Sequence, residues 1–559
     1  MRIREAGDSA MLMELGAPRP EASDAIDAEL NTRAIRIAHA IRQRRIAGVR
    51  DVVSAFRSVA VFFDPLVTDV AAVTGALEAG RDDERSEEPG KLVEVPVVYG
   101  GDAGPDLADV AAFAGVTPEA VVERHASRTY RVFMLGFLPG FPYMAGVDDK
   151  IATPRRPTPR ARVPAGSVGI AGRQTGIYPC ESPGGWQIIG RTRLEMFDPE
   201  RSSPALLAPG DIVRFVPVSS GTDTVVGRGF TPRQAGREGP PYAGPTYDLA
   251  TRYITVLRPG LLTTIQDAGR WGYQHLGVSV SGPMDPFAHR FANSLLGNAP
   301  DAATLEATIL GPELRFEHRA RIAIAGGDLQ PTLDSTQLST GDVVQCAGGS
   351  VLRFGDRRSG ARAYVAVDGG IAVPRVLGSR STHVTSGLGG MDGRALRSGD
   401  RIALGPSPSP SSSRSSLRHG SYGAGDALLR VMRGPQADDF HPSALDVLQR
   451  TRFTISPQSD RMGYRLRGGT LPTLPASGEM TSGATVLGAV QVPPSGQPIL
   501  LMADRQTTGG YPQIAVVITA DLPLAAQLAP GDTVRFELCR RSDAIAALTE
   551  QERVFLGDG

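Results

Sequence analysis

Arg173-Gln174-Thr175-Gly176-Ile177-Tyr178-Pro179 returns, barely altered, as Arg505-Gln506-Thr507-Thr508-Gly509-Gly510-Tyr511-Pro512. Each copy follows an apolar run led by a Val-Pro step, Val163-Pro164-Ala165-Gly166 in the first and Val492-Pro493-Pro494-Ser495-Gly496 in the second. Each is later closed by a Pro-Gly-Asp turn entering a strand, at Pro209-Gly210-Asp211 and at Pro530-Gly531-Asp532. Matched landmarks in one order define two copies of a β-rich module. A weaker closing turn, Ser398-Gly399-Asp400, lies between them, and Asp267-Ala268-Gly269-Arg270-Trp271-Gly272-Tyr273 is echoed by Asp460-Arg461-Met462-Gly463-Tyr464. A third related module is therefore expected. Unequal spacing between the landmarks excludes a short solenoid repeat.

The 559 residues suit about three to five domains. Hydrophobic residues make up 41%, enough for several cores, and 59 basic residues balance 59 acidic ones. No net field exists to attract nucleic acid or an anionic membrane. The start at Met1–Asp8 lacks the apolar core of a signal peptide, and no apolar run approaches spanning length, so a cytoplasmic protein is expected. Cys180, Cys346 and Cys539 are scattered and suggest neither a disulfide framework nor a metal site. Only Lys91 and Lys150 are lysines, so recognition of phosphate or carboxylate must use arginine forks or backbone amides.

The pattern predicts a mainly β chain with a small α/β domain at its N-terminus. Residues 1–88 are that domain: a strand over Ser9–Leu15, a helix with Ile26, Leu30, Ala34, Ile37 and Ile41 on one face, and a strand over Val59–Phe63. A charged run from Asp82 to Gly90 reads as a solvated linker. Residues 91–218 form the first repeated module, with a helix opened by Thr117-Pro118. It carries stiff Gly/Pro loops: Gly136-Phe137-Leu138-Pro139-Gly140-Phe141-Pro142-Tyr143, Pro154 to Arg160, and Ser182 to Trp186. Such loops suit either a binding cleft or barrel corners. A polar stretch, 219–250, joins two halves; 251–404 is a β lobe with a helix capped by Asp285-Pro286 and ended at Gly297. The low-complexity segment 405–425 leads to a last β lobe, 426–559.

No Walker loop, dinucleotide fingerprint, His-Glu-x-x-His helix, nucleophile elbow or paired-cysteine zinc site is present. The candidates are constellations. Arg173, Gln174 and Tyr178, with Arg505, Gln506 and Tyr511, offer a fork, an amide and a hydroxyl in each repeated loop, suited to an amide, carboxylate or phosphate. Equally, they tie a barrel turn to its neighbour. Asp267, Asp285, Asp328, Asp368 and Asp504 are general-base candidates in loop-like sequence that also suit turn caps. His125 is an acid–base candidate at a predicted helix C-terminus, where the dipole alone also favours a histidine. Glu306 lies in an apolar segment and needs a partner, for which Arg270 is the expected residue. Cys180 has no histidine partner in sequence.

Gly136–Tyr143, Pro159-Arg160, Val163–Pro179, Ser182–Trp186 and Ile189-Gly190-Arg191-Thr192 resemble the KipI family, the B subunit of 5-oxoprolinase. Leu262–Arg270, Ser281–Asp285, Ala292-Asn293, Leu305-Glu306, Ser459–Gly463 and Gln491–Pro512 resemble the KipA family, the C subunit of the same enzyme. The resemblance implies a natural fusion with three cyclophilin-like β-barrel modules. It implies an ATP-dependent lactam hydrolase component, using Mg-bound ATP and acting with a separate LamB/YcsF-like A subunit to open 5-oxoproline to glutamate. Substrate or phosphate contacts are expected at Gly136, Phe137, Gly140, Phe141, Tyr143, Arg160 and Arg191, beside the repeated loops, Arg270 and Glu306. The same modules resemble the carboxyltransferase part of urea carboxylase, also labelled allophanate hydrolase. In that reading a partner must carry the biotin, because no Ala-Met-Lys-Met site exists here. A histidine-kinase regulator is a further alternative, and a homo-oligomer remains open.

Overall fold

A computed structural model describes residues 1–16, 27–81, 90–219, 252–407, 422–423, 425–472 and 482–556. The charged run over 82–89, nearly all of the 219–250 joining stretch and most of 405–425 lie outside the described residues. No helix among the described residues is long and apolar enough to cross a membrane.

The N-terminal unit is an antiparallel four-stranded sheet in the order Arg2–Glu5, Ala10–Glu14, Ser58–Phe63, Val49–Ser54. Its helices, Ala28–Arg44 and Val70–Arg81, follow from local signals. Asp27 accepts the amides of Glu29 and Leu30 at 2.9 and 3.1 Å, and Ala34, Ile37 and Ile41 bury one face. Strand alternation then divides the sheet between two neighbours. Met11, Met13, Val59 and Val61 pack under the helices, whereas Ala10, Leu12, Ala60 and Phe62 pack on Ala484, Val486 and Val516 of the last module.

The two modules that carry the repeated loop are closed seven-stranded barrels. The first runs Gln174–Ile177, Pro142–Ala145, Thr129–Leu135, Ile212–Pro217, Leu92–Tyr99, Gln187–Arg191, Ser167–Ala171. The last runs Asp426–Arg433, Gln513–Val517, Ala489–Gln491, Ile499–Leu501, Gly463–Arg467, Phe453–Ile455, Thr533–Leu538. The middle segment instead forms two sheets, of six and five strands, between Tyr253 and Ala403.

All three closing turns are built alike. Asp211, Asp400 and Asp532 each accept the amide three residues back, from Ala208, Arg397 and Ala529, at 2.8, 2.7 and 2.8 Å. The strands beyond them pair differently. In both barrels the closing strand pairs parallel with the module's first strand. In the middle module Arg401–Ala403 pairs antiparallel with Tyr253–Arg258. The same turn therefore feeds a ring in two places and a sheet edge in the third.

The N-terminal unit also ties the modules together through buried polar side chains. The Asn31 amide donates to the carbonyls of Ala55, Phe56 and Phe133. Asp51 accepts the amides of Gly272 and Gln274, both at 3.0 Å. Asp8 accepts the amide and hydroxyl of Thr519. Each bond satisfies a buried group that would otherwise be costly to leave unpaired.

Candidate active site

A cavity of about 170 Å³ opens where the first barrel, the middle sheets and the last barrel meet. The first barrel supplies Phe137, Leu138, Ser182 and Pro183; the middle module supplies Gly277, Ser279, His383 and Thr385; the last barrel supplies Met462, Asp504, Arg505 and Gln506. Neither half of the chain builds this wall alone.

The close approach depends on glycine. Leu135 bridges to Leu276 across the junction, and the Gly140 amide donates to the Leu276 carbonyl at 2.7 Å. Gly277 has φ +80°, and a Cβ there would lie 2.3 Å from the Leu138 carbonyl oxygen. A Cβ on Gly136 would lie 2.0 Å from the Thr508 hydroxyl. Phe137 takes φ +65° between them, which turns its ring onto Phe141 and Tyr178. Phe141, Tyr143, Tyr178 and Trp186 complete an aromatic cluster behind the wall. Burial raises the Tyr143 and Tyr178 hydroxyls to about 12, so both stay protonated.

Behind the cavity lies a buried ion network. Arg461 grips both oxygens of Asp504, at 2.9 and 3.0 Å, pairs with Glu306 and donates to the Gly282 carbonyl at 2.7 Å. The Tyr364 hydroxyl and the Met284 amide fill the other Glu306 oxygen at 2.7 and 2.8 Å. Burial alone would raise the Asp504 carboxyl, but the Arg461 guanidinium, through its charge and its hydrogen bonds, brings it below its ordinary value. Glu306 thus finds Arg461, not the expected Arg270. Leu305 and Ala307 face away from it, Leu305 into the middle core, and alternation points Glu306 toward the last barrel. Arg270 is also buried, donating to the carbonyls of Val376 and Ser381 at 2.8 Å.

Of the six acid–base candidates, Asp267, Asp285, Asp328, Asp368, Asp504 and His125, only Asp504 reaches the cavity. Asp267 is filled by Gly269, Ser379, Arg380 and Ser381. Asp285 caps the helix Pro286–Leu296 through Ala288 at 2.8 Å and accepts from Gln527 and Tyr422. Asp328 and Asp368 likewise take backbone amides, of Gln330 and Arg321. His125 is enclosed in the first barrel, stacked 4.5 Å from Phe215 and bonded to Tyr99 and Thr175. Burial lowers it to about 3, leaving it neutral and away from the cavity wall, which corrects the acid–base expectation.

The repeated loops also part company. Arg505 is buried, donates to Gln274 Oε1 at 2.9 Å and is lowered to about 10 by desolvation. Arg173 lies outside on a surface pair with Asp149, and Gln174 is half-buried beside it. Arg160 joins Arg156 in clamping Asp106, and exposed Arg191 donates to the Ala165 carbonyl. Tyr511 contributes its carbonyl to Gln491, at 3.2 Å. The sequence reading missed His383 as a site residue. Its signal is present: one histidine amid Ser381-Thr382 and Thr385-Ser386, followed by Gly387, Gly389 and Gly390. His383 is buried, its Nδ1 bonds the Ser386 hydroxyl, and burial lowers its pKa against the opposing pull of Asp504. No cluster of three or more potential metal ligands occurs among the described residues.

The model of the carboxyltransferase domain, subdomains C and D, matches residues 1–207, and that of subdomains A and B matches 276–538. The chain is 38% identical to the 5-oxoprolinase C subunit of Escherichia coli over 54% of its length and 96% of that protein. It is 40% identical to the 5-oxoprolinase B subunit of Bacillus subtilis over 39% of its length and 93% of that protein. The chain belongs to the family of the 5-oxoprolinase B and C subunits. The crystal structure of TTHA0988 superposes with a TM-score of 0.81 and 35% identity, over 96% of this chain and all of that one. Urea amidolyase of Lachancea kluyveri is 32% identical over 52% of this chain but only 17% of its own length. In this 5-oxoprolinase-family chain the B-like and C-like parts occur as one polypeptide, and the cavity sits where they meet.

Proposed function

We propose that this chain is the fused B and C component of an ATP-dependent 5-oxoprolinase, working with a separate A subunit. The observation that carries the reading is a small, largely apolar cavity with a histidine and a paired carboxylate on its wall, shared by both halves. Its volume, about 170 Å³, suits a small cyclic amide and lies below the roughly 300–1,000 Å³ of pockets for drug-sized ligands. Its wall carries no lysine and its one arginine is engaged with Gln274, so we assign the cavity to the lactam rather than to the nucleotide.

Opening the lactam adds one water across its C–N bond, oxygen joining the carbonyl carbon and the nitrogen leaving with a proton, while the coupled hydrolysis of ATP to ADP and phosphate consumes a second water. Neutral His383 is suited to accept or relay that proton. Asp504, fixed by Arg461, holds a negative charge beside the ring and favours its protonated form as the proton arrives. Phe137, Leu138, Pro183 and Met462 give the site an apolar lining, beside which charges act more strongly than in bulk water.

The test is phosphate release from ATP with a folded cognate A subunit, with and without 5-oxoproline, glutamate being assayed in parallel. Lactam-dependent turnover that requires this chain supports the reading. Without it, the urea amidolyase relationship favours a second reading, carboxyl transfer from a biotinylated carrier protein to urea.

A further inference from the structure

Gln506 stands on the cavity wall between two buried neighbours, Arg505 and Thr507. Its backbone is pinned from one side. The Thr485 hydroxyl donates to the Gln506 carbonyl, and the Thr485 amide donates to the Thr507 carbonyl at 3.0 Å. Thr485 does not line the cavity, so that carbonyl is drawn away from it. The side-chain amide of Gln506 has no hydrogen-bond partner among the described residues, and unlike the Ser182 hydroxyl it is not sealed from solvent. Elsewhere on the wall the Ser279 hydroxyl donates to the Ala503 carbonyl, His383 bonds Ser386, Asp504 is held by Arg461, and Arg505 donates to Gln274. Exposed Thr385 also has a hydroxyl without a partner among the described residues, but its single oxygen cannot span the two polar atoms of an amide edge.

We infer that Gln506 is a substrate-binding residue that reads the edge of a cis amide, its Oε1 accepting the ring N–H and its Nε2 donating to the ring carbonyl. A side-chain amide carries an acceptor and donors in one plane. Ring closure makes a small lactam hold its N–H and C=O on the same side, so the two edges match in a pair of parallel hydrogen bonds. Glutamine reads the donor–acceptor edge of adenine in the same two-point way. Paired bonds also fix how the ring turns, which a single bond leaves open. Phe137, Leu138, Pro183 and Met462 offer an apolar lining to the ring faces, beside which a hydrogen bond is stronger than in water. Opening the ring separates that nitrogen from the carbonyl carbon, so the paired contact ends with the C–N bond. Only the identity of the amide rests on the oxoprolinase reading: urea presents the same edge, and an N-methylated lactam does not.

The experiment is calorimetric titration of the full chain with 5-oxoproline, with its N-methyl derivative and with urea. Wild type and Gln506→Met are compared, both are melted, and lactam turnover is assayed with the A subunit. The expected result is wild-type affinity for 5-oxoproline roughly tenfold or more above that for the N-methyl derivative. In Gln506→Met the 5-oxoproline affinity should fall about tenfold, with Tm and the affinity for the N-methyl derivative unchanged. Equal wild-type affinities for the two lactams overturn the proposal, as does a variant that keeps the wild-type preference. Equal loss for both lactams marks a damaged cavity and overturns it too. Urea bound in place of 5-oxoproline and weakened in the variant keeps the role of Gln506 and removes the oxoprolinase reading. If no probe binds while turnover persists, the proposal falls and that reading stands. If binding and turnover are both absent, both fall.

Discussion

Arg461 in the last barrel and Glu306 in the middle module form an ion pair whose side chains are 6% and 1% exposed. Because Arg461 also holds Asp504 on the cavity wall, one guanidinium joins the packing of two modules to the geometry of the site. Replacing it by an isosteric apolar residue leaves two buried carboxylates without a cation. Arg461→Met is expected to cost about 3–5 kcal/mol in urea denaturation. A loss below about 1 kcal/mol would show that the carboxylates are relieved some other way.

His383→Asn keeps a polar group at Ser386 but removes the group that can take up a proton. Turnover with the A subunit should fall roughly 10²–10⁴-fold, with KM little changed. An unchanged kcat would remove His383 from the chemistry.

The two arginines of the repeated loop make a matched comparison. Arg173→Gln breaks only a surface pair and should stay within about 0.5 kcal/mol of wild type with full activity. Arg505→Gln strips Gln274 and the Thr485 carbonyl of a donor beside the cavity, and should lower turnover at least about tenfold with about 1–3 kcal/mol of destabilisation. Equal effects would mean that the loops do equivalent work.

His125 makes folding acid-sensitive. Its folded pKa is lowered to about 3 from 6.5, so its stabilisation is fully present above pH 6.5. Below that, the unfolded chain binds a proton that the folded one does not, and stability falls as pH drops, by about 1.4 kcal/mol per unit. His125→Gln should lower the slope between pH 6.5 and 4 by about that amount while leaving turnover per folded molecule unchanged. Chemical denaturation at several pH values reads the slope. An unchanged slope would mean that the ring is protonated in the fold.

Gly277→Ala places a methyl 2.3 Å from the Leu138 carbonyl oxygen at a positive φ, whereas Gly378 has φ +81° with nothing within 4 Å. The first change should cost about 1–3 kcal/mol more than the second and reduce turnover, because it wedges the two halves apart at the cavity. Similar melting curves for the two variants would place the junction elsewhere.

Several local features were legible in the residues alone. Thr117 and Asp285 cap the helices that their Pro neighbours announce, and each closing-turn Asp binds its own turn. These are contacts between residues a few positions apart, made wherever that local sequence occurs. The Ala34, Ile37, Ile41 stripe was readable for a similar reason, since periodicity marks which face is buried. The partner of Glu306 was not, because Arg461 lies 155 residues away in sequence.

The repeated β modules, their capped helices and turns, and the family resemblance are all written in short patterns of shape, capping and hydrophobic period. What the repeats do is set by how they dock. The Arg173 and Arg505 loops read almost alike, yet one faces outward and the other is buried against Gln274 at the meeting of three modules. The physical reason is that burial and desolvation belong to the surface a neighbour covers. That surface, where Ser182, Gly277, His383 and Asp504 converge, exists only once distant segments have docked.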